Sequence, residues 1–458
     1  MKIIKGGTLV SGARAWQGDL AVENGKIAAV EPSLSPNPGD EVIDAAGCLV
    51  FPGFIDAHTH FDMDNGVTVT ADTFATGTAA ALRGGTTVIV DFATQDRGGS
   101  LQDALDTWQK KAQGVSSCHV AFHMAITSWD EATRREVSRM AAQGVTSFKA
   151  YLAYDALRVD DAQLMDILAA VKDVGGLLGV HCENGTLINA LVDEQKRLGH
   201  LSPAAHPLSR PPEAEAEAIS RLCYVARLVD WPVTVVHLST ELGLAEVEKA
   251  RSMGQRVIAE TCPQYLTLTE EKYREPGFEG AKYVCSPPLR RESDRQALIR
   301  AVREGRIDTL ATDHCSFNFH GQKTLGEADF SRIPNGLPGV EHRPALVYSA
   351  LVEPGLISPR DMCRLLSENP AKLYGMYPHK GALLPGSDAD IVIWEGGLSE
   401  TLSASNQLQN VDYTPFEGMR IAGRARDVLL GGERAVQNGE VAARNLGRYV
   451  ARGPMVLP

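Results

Sequence analysis

The sequence predicts an α/β chain: a (β/α)8 TIM barrel with a smaller β-sandwich domain formed from both chain termini. Three observations predict it. Short apolar runs alternate with amphipathic helical patterns through the middle of the chain, both ends are rich in short strands and turns, and polar residues gather where the central runs end. Strand and helix in alternation build a parallel sheet, and eight such units close into a barrel with its chemistry at the C-terminal strand ends.

The elements follow in order. The first fifty residues give MKIIKGGTLV, GDLAVENGKIAAV and DEVIDAAGCLVFPG, separated by Gly, Asn-Gly and the Pro-rich SLSPNPGD, which reads as an antiparallel sheet. Eight barrel strands follow: GFIDAHTHF, TTVIVDFAT, HVAFHMAIT, VTSFKAYL, LLGVHCE, VTVVHLS, RVIAETC and DTLATDH. Between them lie helical patterns such as DEATRREVSRMAAQG, DDAQLMDILAAVKDVGG, EAEAEAISRLCYVARLVD and ESDRQALIRAVREG. The last seventy or so residues return to strands in SDADIVIWEG and GMRIAGRARDVLLGGERAVQNGEV. The expected division is residues 53–378 for the barrel, with 1–52 and 379–458 forming the β-sandwich.

Composition narrows the function. With 458 residues, 44% hydrophobic and 22% charged, the chain is long enough for a large core and is not of disordered type. A net charge of -12 gives no basic footprint for nucleic acid or an anionic membrane surface. No apolar run approaches the ~18 residues that cross a bilayer, so a cytoplasmic protein without membrane partners is expected. The eight cysteines are scattered without CxxC spacing, which indicates buried thiols rather than disulfides or a zinc knuckle.

The chemistry-bearing residues fall at the strand ends. Strand one closes on Asp56-Ala57-His58-Thr59-His60, and strand alternation turns His58 and His60 to one side, as two ligands of one ion require. Strand four carries Lys149, strand five His181, strand six His237 and strand eight Asp313. A lone histidine at a strand end is ordinarily a hydrogen-bonded structural residue. Four histidines, a lysine and an aspartate at barrel strand ends point instead to a metal centre. Lys149 is the odd member, because an ammonium has no lone pair. It either pairs with Asp313 as a cation or, losing its proton through burial beside cations, adds carbon dioxide to become a carbamate.

On these residues the chain resembles the cyclic amidohydrolases, closest to the hydantoinase and dihydropyrimidinase group. The matching segments are GFIDAHTHFDM at 53–63, GVTSFKAYLAY at 144–154, VHCEN at 180–184, VVHLS at 235–239 and ETCPQYL at 260–266. SPPLR at 286–290, ATDHCSF at 311–317, IPNGLPGVEHR at 333–343 and NPAKLYGMYPHKGALLPGSDADIVIW at 369–394 complete the set. The resemblance implies two divalent metal ions, usually Zn2+, bridged by N6-carboxylysine at Lys149. It assigns His58, His60 and Asp313 to one ion and His181 and His237 to the other. A water activated between the ions attacks the ring amide, with Asp313 as base and then acid. Tyr154 donates to the oxyanion. Ser286 and Asn335 hold the ureide ring, largely through backbone groups. The product is an N-carbamoyl amino acid, and a homotetramer is the expected assembly.

Two other readings weigh against this one. Dihydroorotases and allantoinases continue the HxH strand with an Arg- or Asn-led run into Glu-Pro-Gly, where this chain has Phe61-Asp62-Met63-Asp64-Asn65. A non-catalytic scaffold resembling the collapsin response mediator proteins would show gaps in the ligand set, and there are none. The substituent pocket stays open between two forms. Loops after strands one and four offer Met63, Asn65, Tyr151, Leu157 and Arg158. Tyr151 suits an aryl group, whereas Arg158 would recruit an anionic one.

Overall fold

The computed structural model describes residues 1–458. Five strands precede the barrel: β1 (Lys2–Val10), β2 (Ala15–Glu23), β3 (Lys26–Glu31), β4 (Glu41–Asp44) and β5 (Leu49–Pro52). The barrel strands are β6 (Phe54–Thr59), β7 (Thr86–Thr94), β8 (His119–Ala125), β9 (Ser147–Tyr151), β10 (Leu177–His181), β11 (Val233–Val235), β12 (Val257–Thr261) and β13 (Thr309–Leu310). Four more follow: β14 (Ile391–Thr401), β15 (Arg420–Leu430), β16 (Glu433–Gln437) and β17 (Glu440–Val441).

The eight middle strands lie side by side in sequence order, each parallel to the next. The terminal strands form a second sheet in the order β17-β16-β15-β14-β5-β1-β2-β3, with β4 beside β1. This smaller β domain carries its own apolar cluster, including Ile4, Leu20, Ile43, Val50, Ile391, Ile393 and Leu429. Both ends of the chain build it together, as their shared composition predicts. No helix is long and apolar enough to cross a membrane, and all eight cysteines are free and buried.

Closure of the barrel rests largely on side chains, with one backbone bond from His60 N–H to His314 O at 2.7 Å. No ladder joins β13 to β6; a single bridge pairs Thr59 with His314. Asp56 accepts from the Thr312 N–H at 3.1 Å and its hydroxyl at 2.7 Å. The fully buried Arg343 spans the seam, donating to Ile55 O at 2.8 Å on one side and Leu310 O at 2.9 Å on the other. β11 and β13 have three and two residues, shorter than the sequence suggested, because the backbone turns left-handed at His237 (φ 41°) and Asp313 (φ 54°). A positive φ breaks the regular pleat, and pairing beyond it is confined to single contacts such as Leu238 N–H to Glu260 O and the Thr59–His314 bridge.

Inside the barrel, Ile55, Ala57, Val88, Val90, Ala121, Leu177 and Ile258 pack together, with Leu373, Tyr374 and Met376 against them. The last residues leave the terminal sheet and run along the barrel. Tyr449 bridges Val120, and Arg452 N–H donates to Gly144 O. The buried Arg452 guanidinium reaches Ser147 Oγ at 2.7 Å and Phe122 O.

Helices start promptly after the ligand-bearing strands. Asn184 caps the helix Gly185–Arg197 three residues after His181, and Thr240 caps Glu241–Ser252 three residues after His237. Each cap is worth about 1 kcal/mol and fixes the turn on which the histidine sits.

Candidate metal centre and active site

His58 Nε2 and His60 Nε2 lie 3.2 and 3.3 Å from Asp313 Oδ1, so two imidazoles and a carboxylate from opposite sides of the barrel seam converge on one point. That is the donor set of a divalent cation site. His181 Nδ1 and His237 Nε2 face each other at 2.9 Å, and the His58 and His237 rings stand 5.4 Å apart, so the two groups of ligands adjoin. Lys149 Nζ sits 3.4 Å from His58 Nε2. All six residues singled out as ligands therefore come together.

Burial drives His58 and His237 well below the ordinary histidine range, with Lys149 and His181 respectively pushing further. His181 is also lowered, chiefly by burial, against the pull of Glu183. Neutral imidazoles are the form that binds metal. Carboxylates fix the tautomers. His58 Nδ1–H donates to Glu260 Oε1 at 2.7 Å, which leaves Nε2 as a lone pair at the cluster. His181 Nε2–H donates to Glu183 Oε2 at 2.8 Å, which turns the Nδ1 lone pair toward His237. His237 Nε2 stands 2.9 Å from that lone pair, a gap that its own N–H or a bound cation can fill. The donors present thus fit a bound cation at both points.

Lys149 makes no ion pair with Asp313 or any other carboxylate within 4.0 Å. Burial pushes its amine below the ordinary lysine range, against Asp313 and Glu260. As a cation this lysine has His58 Nε2 and the faces of Phe92 and Tyr151 beside it, but no carboxylate partner.

Comparison with known proteins decides the family. The model of the amidohydrolase family matches residues 49–434. A D-hydantoinase of Geobacillus stearothermophilus is 42% identical over 98% of this chain and 96% of its own length. A D-phenylhydantoinase of Escherichia coli O9:H4 (strain HS) is 39% identical over 100% of this chain and 99% of its own. The crystal structure of a dihydropyrimidinase from Brevibacillus agri NCHU1002 superposes with a TM-score of 0.98, at 41% identity and 100% coverage of both chains.

This chain belongs to the hydantoinase and dihydropyrimidinase family of cyclic amidohydrolases. It is a hydrolase of cyclic amides.

The remainder of the amidohydrolase site lies around the ligands. Tyr154 stands 5.2 Å from the His181 ring, beside Arg210 and facing Ser286. Burial pushes its hydroxyl up to about 12, with Arg210 opposing, so it remains a proton donor at neutral pH. Eight non-glycine residues have positive φ, and six are Asn or Asp, which tolerate it. Tyr154 (φ 68°) and His237 are the other two, and both are here. Such conformations cost about 1–3 kcal/mol each and persist where surrounding structure imposes them.

Ser286 is buried and Asn335 partly so; Ser286 Oγ and Asn335 Oδ1 have no partner. Their backbone is freer still. Neither N–H donates within the protein, Ser286 O accepts nothing, and Asn335 O meets only the Cys315 thiol at 3.8 Å.

The substituent loops resolve unequally. Phe92, Ala125 and Tyr151 form an apolar cluster against which Tyr154 and Leu157 pack, and Phe92 stands 4.6 Å from His58. Arg158 is committed elsewhere, to Asp155 at 3.0 Å and Thr186 Oγ1 at 2.9 Å. It lines a polar cavity of about 550 Å3 with Arg97 and Arg221. Asn65 is exposed and accepts from the Val67 and Thr68 N–H groups, so it shapes its own turn.

Sequence reasoning missed Glu183, Glu260 and Arg210. Arg210 Nη1 donates to Glu183 at 2.5 Å. Burial pushes Glu183 up, but Arg210 and then His181 outweigh it and hold the carboxyl down to about 2. A signal existed for both acids: Glu183 lies two residues past His181, on the same strand face, and Glu260 stands near the end of the strand bearing RVIAETC, to which no ligand was assigned.

Proposed function

We propose that this amidohydrolase opens the ring of 5-substituted hydantoins, and of dihydropyrimidines more slowly, to N-carbamoyl amino acids. The observation that carries it is the pairing of a complete ligand cluster with uncommitted backbone groups at Ser286 and Asn335. A cyclic ureide offers alternating N–H and C=O groups. The free Ser286 carbonyl suits a ring N–H, and the free Asn335 N–H suits a ring carbonyl.

Two divalent cations, zinc by the donor set, would be held by His58, His60 and Asp313 on one side and by His181 and His237 on the other. When bound they polarise the carbonyl and lower the pKa of water to about 7. Lys149, carboxylated on Nζ, would supply a further carboxylate ligand to them. Asp313 takes the proton of the attacking water at its carboxylate and returns it to the departing ring nitrogen, so the C–N bond breaks as a carboxylate and a ureido group form. Tyr154 donates its hydroxyl to the oxygen that gains charge. Glu260 and Glu183 hold the imidazole tautomers.

Phe92, Tyr151 and Leu157 support an aryl or alkyl substituent over an anionic one, because Arg158 is already paired. A homotetramer in the cytoplasm belongs to the same reading. The test is turnover of phenylhydantoin, a carboxyalkyl-hydantoin and dihydrouracil on metal-quantified enzyme, with chiral analysis of product. The neutral aryl substrate is expected to be fastest; a faster anionic substrate overturns the pocket, and no turnover of any overturns the function.

A further inference from the structure

We propose that Lys323 and His206 are positioning residues for the substrate ring, acting through the backbone of Ser286 and Asn335. The inference rests on the reading that those two residues hold the ring.

Lys323 is fully buried at the start of a short 3-10 helix, Lys323–Gly326, ten residues past Asp313. Its Nζ donates to three carbonyls: Val284 O at 2.8 Å, Pro334 O at 2.7 Å and Gly336 O at 2.8 Å. An ammonium has three hydrogens, so donors and acceptors match in number. Burial pulls this amine down to about 7, while three carbonyl oxygens favour the charged form, which alone fills them all.

The placement of those carbonyls gives the lysine its meaning. Pro334 and Gly336 flank Asn335, and Val284 lies two residues before Ser286. The two segments are also tied directly, Gly336 N–H donating to Val284 O at 3.0 Å. His206 Nε2–H donates to Cys285 O at 2.7 Å, and the Tyr265 hydroxyl to Pro287 O at 2.7 Å. In the run from Val284 to Pro287 every carbonyl is thus engaged except that of Ser286. Around Asn335, both neighbouring carbonyls are engaged and its own N–H is not. Peptide planes on either side are fixed, so the free groups between them point one way. A cradle fixed before binding loses less entropy when the ring arrives.

Space beside the cradle is tight as well. Gly336 has φ 146°, and a Cβ there would come within 2.3 Å of Cys315 O.

The experiment compares metal-loaded wild-type enzyme with Lys323→Met and His206→Leu on hydantoin. These contacts serve bound substrate and transition state alike, so KM should rise by about tenfold in Lys323→Met, with kcat nearly unchanged and metal content equal to wild type. His206→Leu should raise KM by a smaller factor. A general loss of structure would lower kcat and metal content together, which separates the two explanations. A folded Lys323→Met enzyme with wild-type KM overturns the role of Lys323, and the same result in His206→Leu overturns that of His206. If Lys323→Met does not fold, Lys323→Gln, whose amide keeps two of the three N–H donors but no charge, carries the same test. Wild-type enzyme that opens no cyclic ureide would sink the functional reading instead, a result visible before any variant is measured.

Discussion

Two lysines are fully buried in this protein, 1% exposed at position 149 and 0% at 323, and their surroundings are opposite. Lys323 meets three carbonyl oxygens, one for each hydrogen. Lys149 has no carboxylate within 4.0 Å, and its nearest polar contact is His58 Nε2 at 3.4 Å, a nitrogen that the Glu260 hydrogen bond leaves without a proton of its own. The first lysine is satisfied as a cation and serves as a fixed post. The second, as a cation, has one acceptor for three hydrogens and no carboxylate, among groups suited to bind metal. Burial alone does not tell a structural lysine from a reactive one; the inventory of its acceptors does.

The same substitution at both positions should therefore give opposite results. Lys149→Met is expected to lose at least about a hundredfold in kcat, measured on enzyme supplied with metal and bicarbonate. Retention of two metals and full activity would break the proposed bridge. Its metal-free form should be destabilised less than Lys323→Met, since it leaves no carbonyl bare. Lys323→Met leaves Pro334 O and Gly336 O bare, at about 1–3 kcal/mol each, while Val284 O keeps the Gly336 N–H, so its urea midpoint should fall clearly while bound metal stays.

Smaller effects sharpen the contrast from the surrounding carboxylates. Glu183→Gln and Glu260→Gln should weaken metal retention by roughly 10–100-fold, read by competition with a chelator. Tyr154 supplies a pH signature. Its folded hydroxyl ionises near 12 instead of the ordinary 10.0, so the stability it contributes is present below pH 10 and lost as pH rises toward 12. Tyr154→Phe should flatten that part of the alkaline unfolding curve. Arg158→Ala should change turnover of phenylhydantoin least of all, because its partners are Asp155 and Thr186.

Much of this was legible in the sequence, for physical reasons. Barrel strands are fully buried and read as apolar runs, and a histidine or aspartate ending such a run stands out against them. Glu183 and Glu260 were hidden because a carboxylate beside a ligand breaks no pattern of its own. Lys323 was invisible for a different reason: a lysine in a polar loop looks like a solvated surface residue until the fold wraps carbonyls around it. Arg158 shows the reverse, a charge near the site in sequence that the backbone turns toward Asp155. The short β11 and β13 escaped as well, since left-handed turns at His237 and Asp313 leave no mark in composition.

The seam between β6 and β13 also bears on how the chain is made. β6 is the first barrel strand to leave the ribosome, yet its second neighbour, β13, and Arg343 follow about 250 and 285 residues later. Throughout that interval one edge of a growing apolar sheet stands open, the kind of edge that recruits strands from other chains. Refolding yield should consequently fall with protein concentration, and seam substitutions such as Arg343→Met should show first as aggregation during expression, before any defect in the finished enzyme.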